Sequence, residues 1–386
     1  MKQTAVIITI LFSQLSFGQK VIYGTTTNPN NPVDVQAAEK ILSKIKALNI
    51  KTSSFVLNAT NDVVELSYVY HTIVNNSISI YYVKPPYRKG ALYKDEAFAL
   101  WKAIREEFYN VELVNKAKIL GYPISDEFKT PNKPGAGQHF NAGSIYWSAN
   151  TGANEIHGAI RDKWKNLGWE NSFLGFPKTG ELTTSDKFGR YNLFEGGAIY
   201  FHPNLGTYSI PNLIYNVWDK EGKERGKLGY PTSDEIIKNN NSVQYFEFGA
   251  VISTKASAYK IIYNSSRNTR GLYNKWRETG GVNSYLGDLV TPNRGYPKIR
   301  ISQFAEFEKG FIYESIVKQP NSKFDKEDAF VILKGPIFDY YASKKWEQGP
   351  LGLPISDEYS FGDGVAQNFQ GGIIYYTKAL GAFERK

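Results

Sequence analysis

The hydrophobic and polar positions fall into short helical stretches separated by groups of strand patterns. Residues 35–48 place apolar side chains at the spacing of an amphipathic helix, whereas 63–70 and 77–83 alternate like half-buried strands. From about residue 95 onward one order recurs: a short amphipathic segment such as 160–164 (Ile-Arg-Asp-Lys-Trp), a Gly/Pro turn, and then β-formers on both sides of a glycine. An aromatic residue, a Gly turn and then Ile-Tyr predicts a tight hairpin, because glycine takes the positive φ that the turn requires. The pattern predicts a mainly β protein with short helices, each unit being a helix, a turn and about three strands.

The turn is a tetrapeptide that repeats. Leu-Gly-Tyr-Pro stands at 120–123 and 228–231, Leu-Gly-Phe-Pro at 174–177 and Leu-Gly-Leu-Pro at 351–354, with the first two steps both 54 residues long. A fourth copy reads as split, with Leu286 and Gly287 separated by an insert from Gly295, Tyr296 and Pro297. Trp164, Trp218 and Trp276 each precede the leucine by ten residues and Trp346 precedes Leu351 by five. All four are expected in the core, on the apolar side of a helix. Downstream, Phe140, Phe194, Phe246, Phe307 and Phe369 open the hairpins, and Ile252 stands in the third copy where the others have Tyr.

These motifs in register resemble the LGFP repeat family, found on secreted bacterial proteins that associate with cell walls. The resemblance covers residues 95–386, as repeats at about 95–153, 154–207, 208–260, 261–325 and 326–386. It implies a wall- or glycan-binding module whose tandem sets of five close into a β-propeller-like ring. Packing points the same way: a unit of three short strands cannot bury both faces alone, and five units fit the four to eight blades of a propeller. A three-unit trefoil is excluded by the count, and an open string of modules is the alternative. Residues 19–94 read as an α+β segment. Its motifs at 80–83, 90–93 and 100–101 parallel 199–201, 206–208 and 217–218, so it also reads as a degenerate repeat that would make six units.

Residues 1–18 read as a signal peptide. Lys2, a mostly apolar run at 5–15 and the small residues Ser16 and Gly18 predict cleavage near Gly18 and a secreted, cell-surface or periplasmic protein. That run is shorter than the roughly 20 residues of a membrane span, and no second long apolar segment follows. The 386 residues include no Cys and a single Met, Met1, which excludes disulfides, thiolate metal sites and thiol nucleophiles. A net charge of +9, or +8 once Lys2 is removed, is scattered along the chain and falls short of a nucleic-acid footprint. Oligomeric state stays open.

Candidate chemistry is sparse. His71, His139, His157 and His202 lack the spacing of a helical metal pair, and His139 and His202 are expected at the surface. No catalytic residue, metal site or cofactor is expected; a carboxylate pair for glycoside cleavage depends on a separation that only three dimensions define. The informative polar run follows the proline: Asp126 and Glu127, Asp234 and Glu235, Asp357 and Glu358, with Glu181 in the second repeat. After a Pro turn, Ser and Asp commonly bond the local backbone and fix the loop. The functional reading is that these carboxylates bind sugar hydroxyls between repeats, beside ring platforms at Tyr146, Trp147, Tyr200, Tyr313 and Tyr375. The expected function is non-catalytic binding of a polysaccharide or wall glycan through several similar sites. The alternatives are a glycan- or wall-degrading hydrolase with one asymmetric site and a protein-binding scaffold.

Overall fold

The computed structural model describes residues 7–8, 19–114, 119–238, 241–253, 259–265, 270–295, 302–315 and 328–385. The protein is mainly β, with helices α1 (Pro32–Ala47), α2 (Lys102–Phe108), α3 (Gly158–Leu167), α4 (Asn212–Lys220), α5 (Leu272–Glu278) and α6 (Pro336–Ser343). The chain divides into two compact units, residues 1–183 with 190–201, and residues 184–189 with 202–386.

The first unit opens with an α+β sheet. Strands Lys20–Tyr23 and Ser54–Asp62 run parallel on either side of α1 in the sequence, and Ile7–Ile8 pairs antiparallel with Val21 and Ile22. Ser54–Asp62, Ser67–Asn75, Ile78–Val83 and Ala97–Trp101 then form an antiparallel meander. Helix α1 begins where the Asn31 side chain accepts from the Val33 N–H with Pro32 in the first turn, and it buries Ala37, Ala38, Ile41 and Ile45. The strand expected at 63–70 starts later, at Ser67. Asp62 accepts from the N–H groups of Val64 and Glu65 (3.0 and 3.2 Å), so 63–66 form a turn that leaves Val63, Val64 and Leu66 exposed. Local side-chain capping overrides the alternating pattern there.

Every later sheet runs antiparallel in chain order. In the first repeat the strands are Phe128–Lys129, Ala136–His139, Gly143–Ser148 and Gly152–His157. In the second, Leu182–Thr183, Arg190–Phe194 and Gly197–His202 pair successively. The third and fourth sheets end on Tyr259–Tyr263 and Ala329–Leu333, and the fifth on Gly381–Arg385.

The tetrapeptide is a capped turn. Its leucine is fully buried in all five copies and its glycine lies at φ between +64° and +78°. The carboxylate of Glu195 accepts from the Phe176 N–H (2.9 Å) and that of Glu247 from Tyr230 N–H (2.8 Å); the Gln370 amide oxygen does the same for Leu353 N–H (3.0 Å). At Gly175 the left-handed backbone favours glycine, and a Cβ would sit 2.3 Å from Glu195 Oε2 and displace that carboxylate. The proline then bridges to the hairpin phenylalanine in copies one, two, three and five.

Two sequence expectations need correction here. The fourth tetrapeptide is substituted rather than split: Gly287 has φ +78°, Asp288 N–H donates to Glu308, and Leu289 pairs with Phe307 as proline does elsewhere. Residues 289–295 then continue as a strand, and Tyr296 and Pro297 lie outside the described residues. The second concerns Trp346. The indole N–H groups of Trp164 and Trp218 donate to the tetrapeptide glycine carbonyls of Gly175 and Gly229 (3.2 and 2.9 Å), and in the fifth repeat Tyr341 does this, its hydroxyl donating to Gly352 (2.8 Å). Trp346 instead matches Trp169 five residues before the leucine; its backbone is left-handed (φ +51°) and its side chain is 44% exposed. Spacing, not residue identity, marks the core position.

Candidate functional site

The loop carboxylates meet the edge strand of the sheet before them. Asp126 accepts from the Ala99 N–H (3.1 Å), Asp234 from Ser209 N–H and Oγ–H (2.8 Å each), and Asp357 from Val331 N–H (2.8 Å). A buried amide completes each pair: Gln138 donates to the Ala99 carbonyl, Gln244 to that of Ser209 and Gln367 to that of Val331, at 2.8–3.0 Å. The same amide groups donate to Ser125, Ser233 and Ser356 carbonyls in their own loops. The open N–H and C=O of an edge strand are thus paired by side chains that imitate a further strand. In the fourth repeat Asn293 performs both tasks, accepting from Tyr263 N–H (3.3 Å) and donating to its carbonyl (2.6 Å). Lys44 and Lys275 also pair with Asp126 and Asp357 (2.7 and 2.5 Å).

The second repeat reverses the arrangement. Glu155, on the edge strand, accepts from the Glu181 N–H (2.6 Å), while Glu155 N–H donates to the Glu107 carboxylate and Asn192 donates to the Glu155 carbonyl (3.2 Å). A Cβ at residue 180 would stand 2.7 Å from Glu155 Oε1, so a larger residue there would shift the Glu155 carboxylate. His157 Nε2 lies 3.8 Å from Glu155 and 3.5 Å from Glu181, and Arg190 is 3.5 Å from Glu181. Burial first, and then the charges of Glu181, Glu107 and Glu112, push the Glu155 carboxyl up to about 7 against the pull of the Glu181 N–H. Burial also raises Glu107 and Glu181 and lowers His157.

Of the candidate rings, Tyr146, Tyr200, Tyr313 and Tyr375 are buried against the framework, the first two only 2% exposed. Trp147, next in its strand and pointing the other way, is 37% exposed. It lines a pocket of about 550 Å³ together with Trp101, Lys102, Glu127, Lys129 and Gly135. At Gly135 a Cβ would collide with the Phe176 ring at 2.5 Å and the Trp147 carbonyl at 2.6 Å, so the strand packs there only with glycine. Partial desolvation raises the Glu127 carboxyl above its usual range, opposed by Lys102. Glu358, the corresponding residue of the fifth repeat, is raised by burial against a backbone N–H from Leu333; Glu235 is half-buried and contributes to raising Tyr259.

The histidines differ from expectation. His139 is half-buried among Phe128, Tyr146 and Trp169, ring centroids 5.0–6.2 Å away, and burial with the charges of Arg161 and Lys165 lowers it to about 4. His202, also half-buried, packs on Tyr230 at 4.6 Å. Strand positions flanked by aromatics draw both rings inward. Trp101 and Glu155 were missed by sequence reasoning; the signal available was that each lies in the strand closing the preceding sheet.

Among the described residues no group of His, Asp and Glu is arranged to hold a metal, and no helix is long and apolar enough to cross a membrane. No curated protein matches the chain. Two solved structures are similar in part, the extracellular domains of the hybrid two component systems BT3049 and BT4673 from B. thetaiotaomicron. Identities are 13% and 10%, with 86% and 83% of this chain covered. The chain spans 34% and 45% of their lengths, and TM-scores of 0.14 and 0.13 carry no argument about fold. The LGFP repeat family, by contrast, matches residues 120–172, 174–226 and 351–385, so the turn and hairpin framework of these three stretches is that of LGFP repeats.

Proposed function

We propose that this protein is a secreted, non-catalytic module that binds a polysaccharide or cell-wall polymer, with the Trp101–Trp147 pocket as its principal site. That pocket is the observation that carries the reading. Two indoles offer apolar faces to the C–H face of a sugar, while Glu127 accepts from hydroxyls and Lys102 and Lys129 donate to them. Glu235 and Glu358 occupy the place of Glu127 in the third and fifth repeats; these supply further, weaker sites. Asp126, Asp234 and Asp357 hold the loops, Glu181 pairs within the second repeat, and Tyr146, Tyr200 and Tyr375 back the strands. Several weak sites on one polymer raise avidity by about a hundredfold or more. The repeats close into a propeller-like ring, five units or six with residues 19–94, after removal of the leader near Gly18.

The test is a wall-polysaccharide pull-down and glycan array with the full chain and with Trp147→Ala. Binding by the parent and at least about tenfold weaker binding by the variant is expected, as for a truncated aromatic hot spot. A folded parent that retains no glycan overturns the proposal.

One cluster favours a second reading, a hydrolase with an asymmetric site. Glu155 and Glu181 both approach His157, and Glu155 titrates near neutral pH, as a general acid must. Release of reducing sugar from wall polysaccharides, abolished in Glu155→Gln, would establish it; no release by the folded parent would remove it.

A further inference from the structure

The fourth and fifth repeats hold a second pocket, of about 470 Å³, whose chemistry differs from the first. Its walls are Phe304, Phe311, Tyr313, Phe338 and Trp346, with Glu347 among them. The equivalent place between the first and second repeats is filled by the protein itself. There Trp169 stacks on Tyr146 (5.7 Å, 22°), meets Trp164 and His139, and lies under the Arg161 guanidinium at 5.5 Å. Trp346 occupies the position of Trp169 with the same left-handed backbone, yet makes no ring contact among the described residues and is 44% exposed. Phe338 replaces Arg161 and Phe311 replaces Ser144, so the cation that caps the closed version is missing from the open one.

Glu347 shows what is wanted in its place. The equivalent Glu224 accepts from Ser185 N–H and Oγ–H (2.9 and 2.6 Å), and Glu170 accepts from Asn171 (3.1 Å). Glu347 is only 8% exposed, lines the pocket, and has no hydrogen-bond or ion-pair partner among the described residues. A carboxylate that opens to a cavity without a partner favours a cation there, and aromatic faces attract cations. The other lining carboxylate, Glu306, is already paired with Lys334 (3.0 Å) and Thr291 (3.2 Å). Lys334 itself stands 5.3 Å over Phe311, whose ring is stacked on Phe338 (4.9 Å, 10°). Among the described lining residues the one cation, Arg294, is exposed. A sugar would find few partners for its hydroxyls among five rings; an organic ammonium satisfies both the rings and Glu347.

We propose that this pocket binds an organic ammonium group, with Trp346 as the aromatic wall and Glu347 as the counter-ion. The full chain is titrated with choline and, in parallel, with its neutral isostere 3,3-dimethylbutan-1-ol and with glucose, followed by tryptophan fluorescence and calorimetry. Choline is expected to bind at least about tenfold more tightly than the isostere, because only the cation gains from the rings and the carboxylate. Trp346→Ala and Glu347→Gln should each weaken choline at least about tenfold, and Trp147→Ala should leave it unchanged. Since Glu347 is buried, folding of each variant is checked by thermal unfolding; Trp346→Ala, at an exposed ring, tests the site even if Glu347→Gln is unstable. Equal binding of choline and the isostere, tighter binding of glucose, no choline binding by the folded parent, or binding unchanged in Trp346→Ala overturns the proposal.

Discussion

The junction into the third repeat and the junction into the second solve one problem with opposite parts. In the former, Asp234 and Gln244 reach from the loop and hairpin to Ser209 on the edge strand. In the latter the edge strand supplies the carboxylate, Glu155, and the loop supplies an N–H at Glu181. The amide on the hairpin stays: Asn192 donates to the Glu155 carbonyl as Gln244 does to that of Ser209. The difference shows that the framework demands a paired edge, while the side that bears the charge is free to change. It also has a consequence. Glu155 is enclosed with Glu107 and Glu181, and burial with their charges pushes its carboxyl up to about 7.

The largest test of this comparison is at the element both junctions share. Trp164→Ala and Trp218→Ala each remove a fully buried indole that donates to a tetrapeptide carbonyl, and each should lower stability by about 3–5 kcal/mol in thermal or denaturant unfolding. Clearly unequal losses would break the equivalence of the two frameworks. Next come the amides: Gln244→Leu and Asn192→Leu each leave two carbonyls without a donor, and about 1–3 kcal/mol is expected from each in denaturant titration.

A third test separates the junctions by pH. The Glu155 carboxyl in the folded protein is raised above its unfolded value of about 4.3, so the folded state holds its proton more tightly. Stability from this group is fully present below the unfolded value, falls as pH rises through the window up to about 7, and is flat above it. Glu155→Gln keeps an acceptor for Glu181 N–H, so its stability relative to the parent should rise across that window; a pH-independent difference would refute the assignment. The smallest effect is expected at Lys275→Ala, which removes a partly exposed partner of Asp357 and should cost no more than about 1 kcal/mol by double-mutant cycle with Asp357→Asn.

The framework was legible because it repeats: a buried leucine, a left-handed glycine and a hairpin phenylalanine recur in register, and each has a local physical cause. The fourth tetrapeptide was misread because Asp288 and Leu289 keep the hydrogen bond and the strand pairing without keeping the residue types. Trp346 was misplaced because identity suggested a partner for Trp164 where spacing pointed to Tyr341. At the candidate site, Glu127 and Trp147 were named from their motifs, but Trp101 was not, since a pocket joins residues whose distance in sequence carries no signal. The raised carboxyl of Glu155 was equally hidden. Its cause is burial first and then the charges of Glu181 and Glu107, the latter brought close by the packing of α2 against strand Gly152–His157.

The pairing of these edges by the loop that follows each also bears on synthesis. Ala99, Ser209 and Val331 precede the aspartates that cover them by 27, 25 and 26 residues. A sheet emerging from the ribosome therefore stays open to strand addition until the following loop has been translated. An arrest or proteolytic cut within that stretch would leave a nascent chain with an adhesive border. The solubility of these three sheets is in this sense completed by the sheet that follows each.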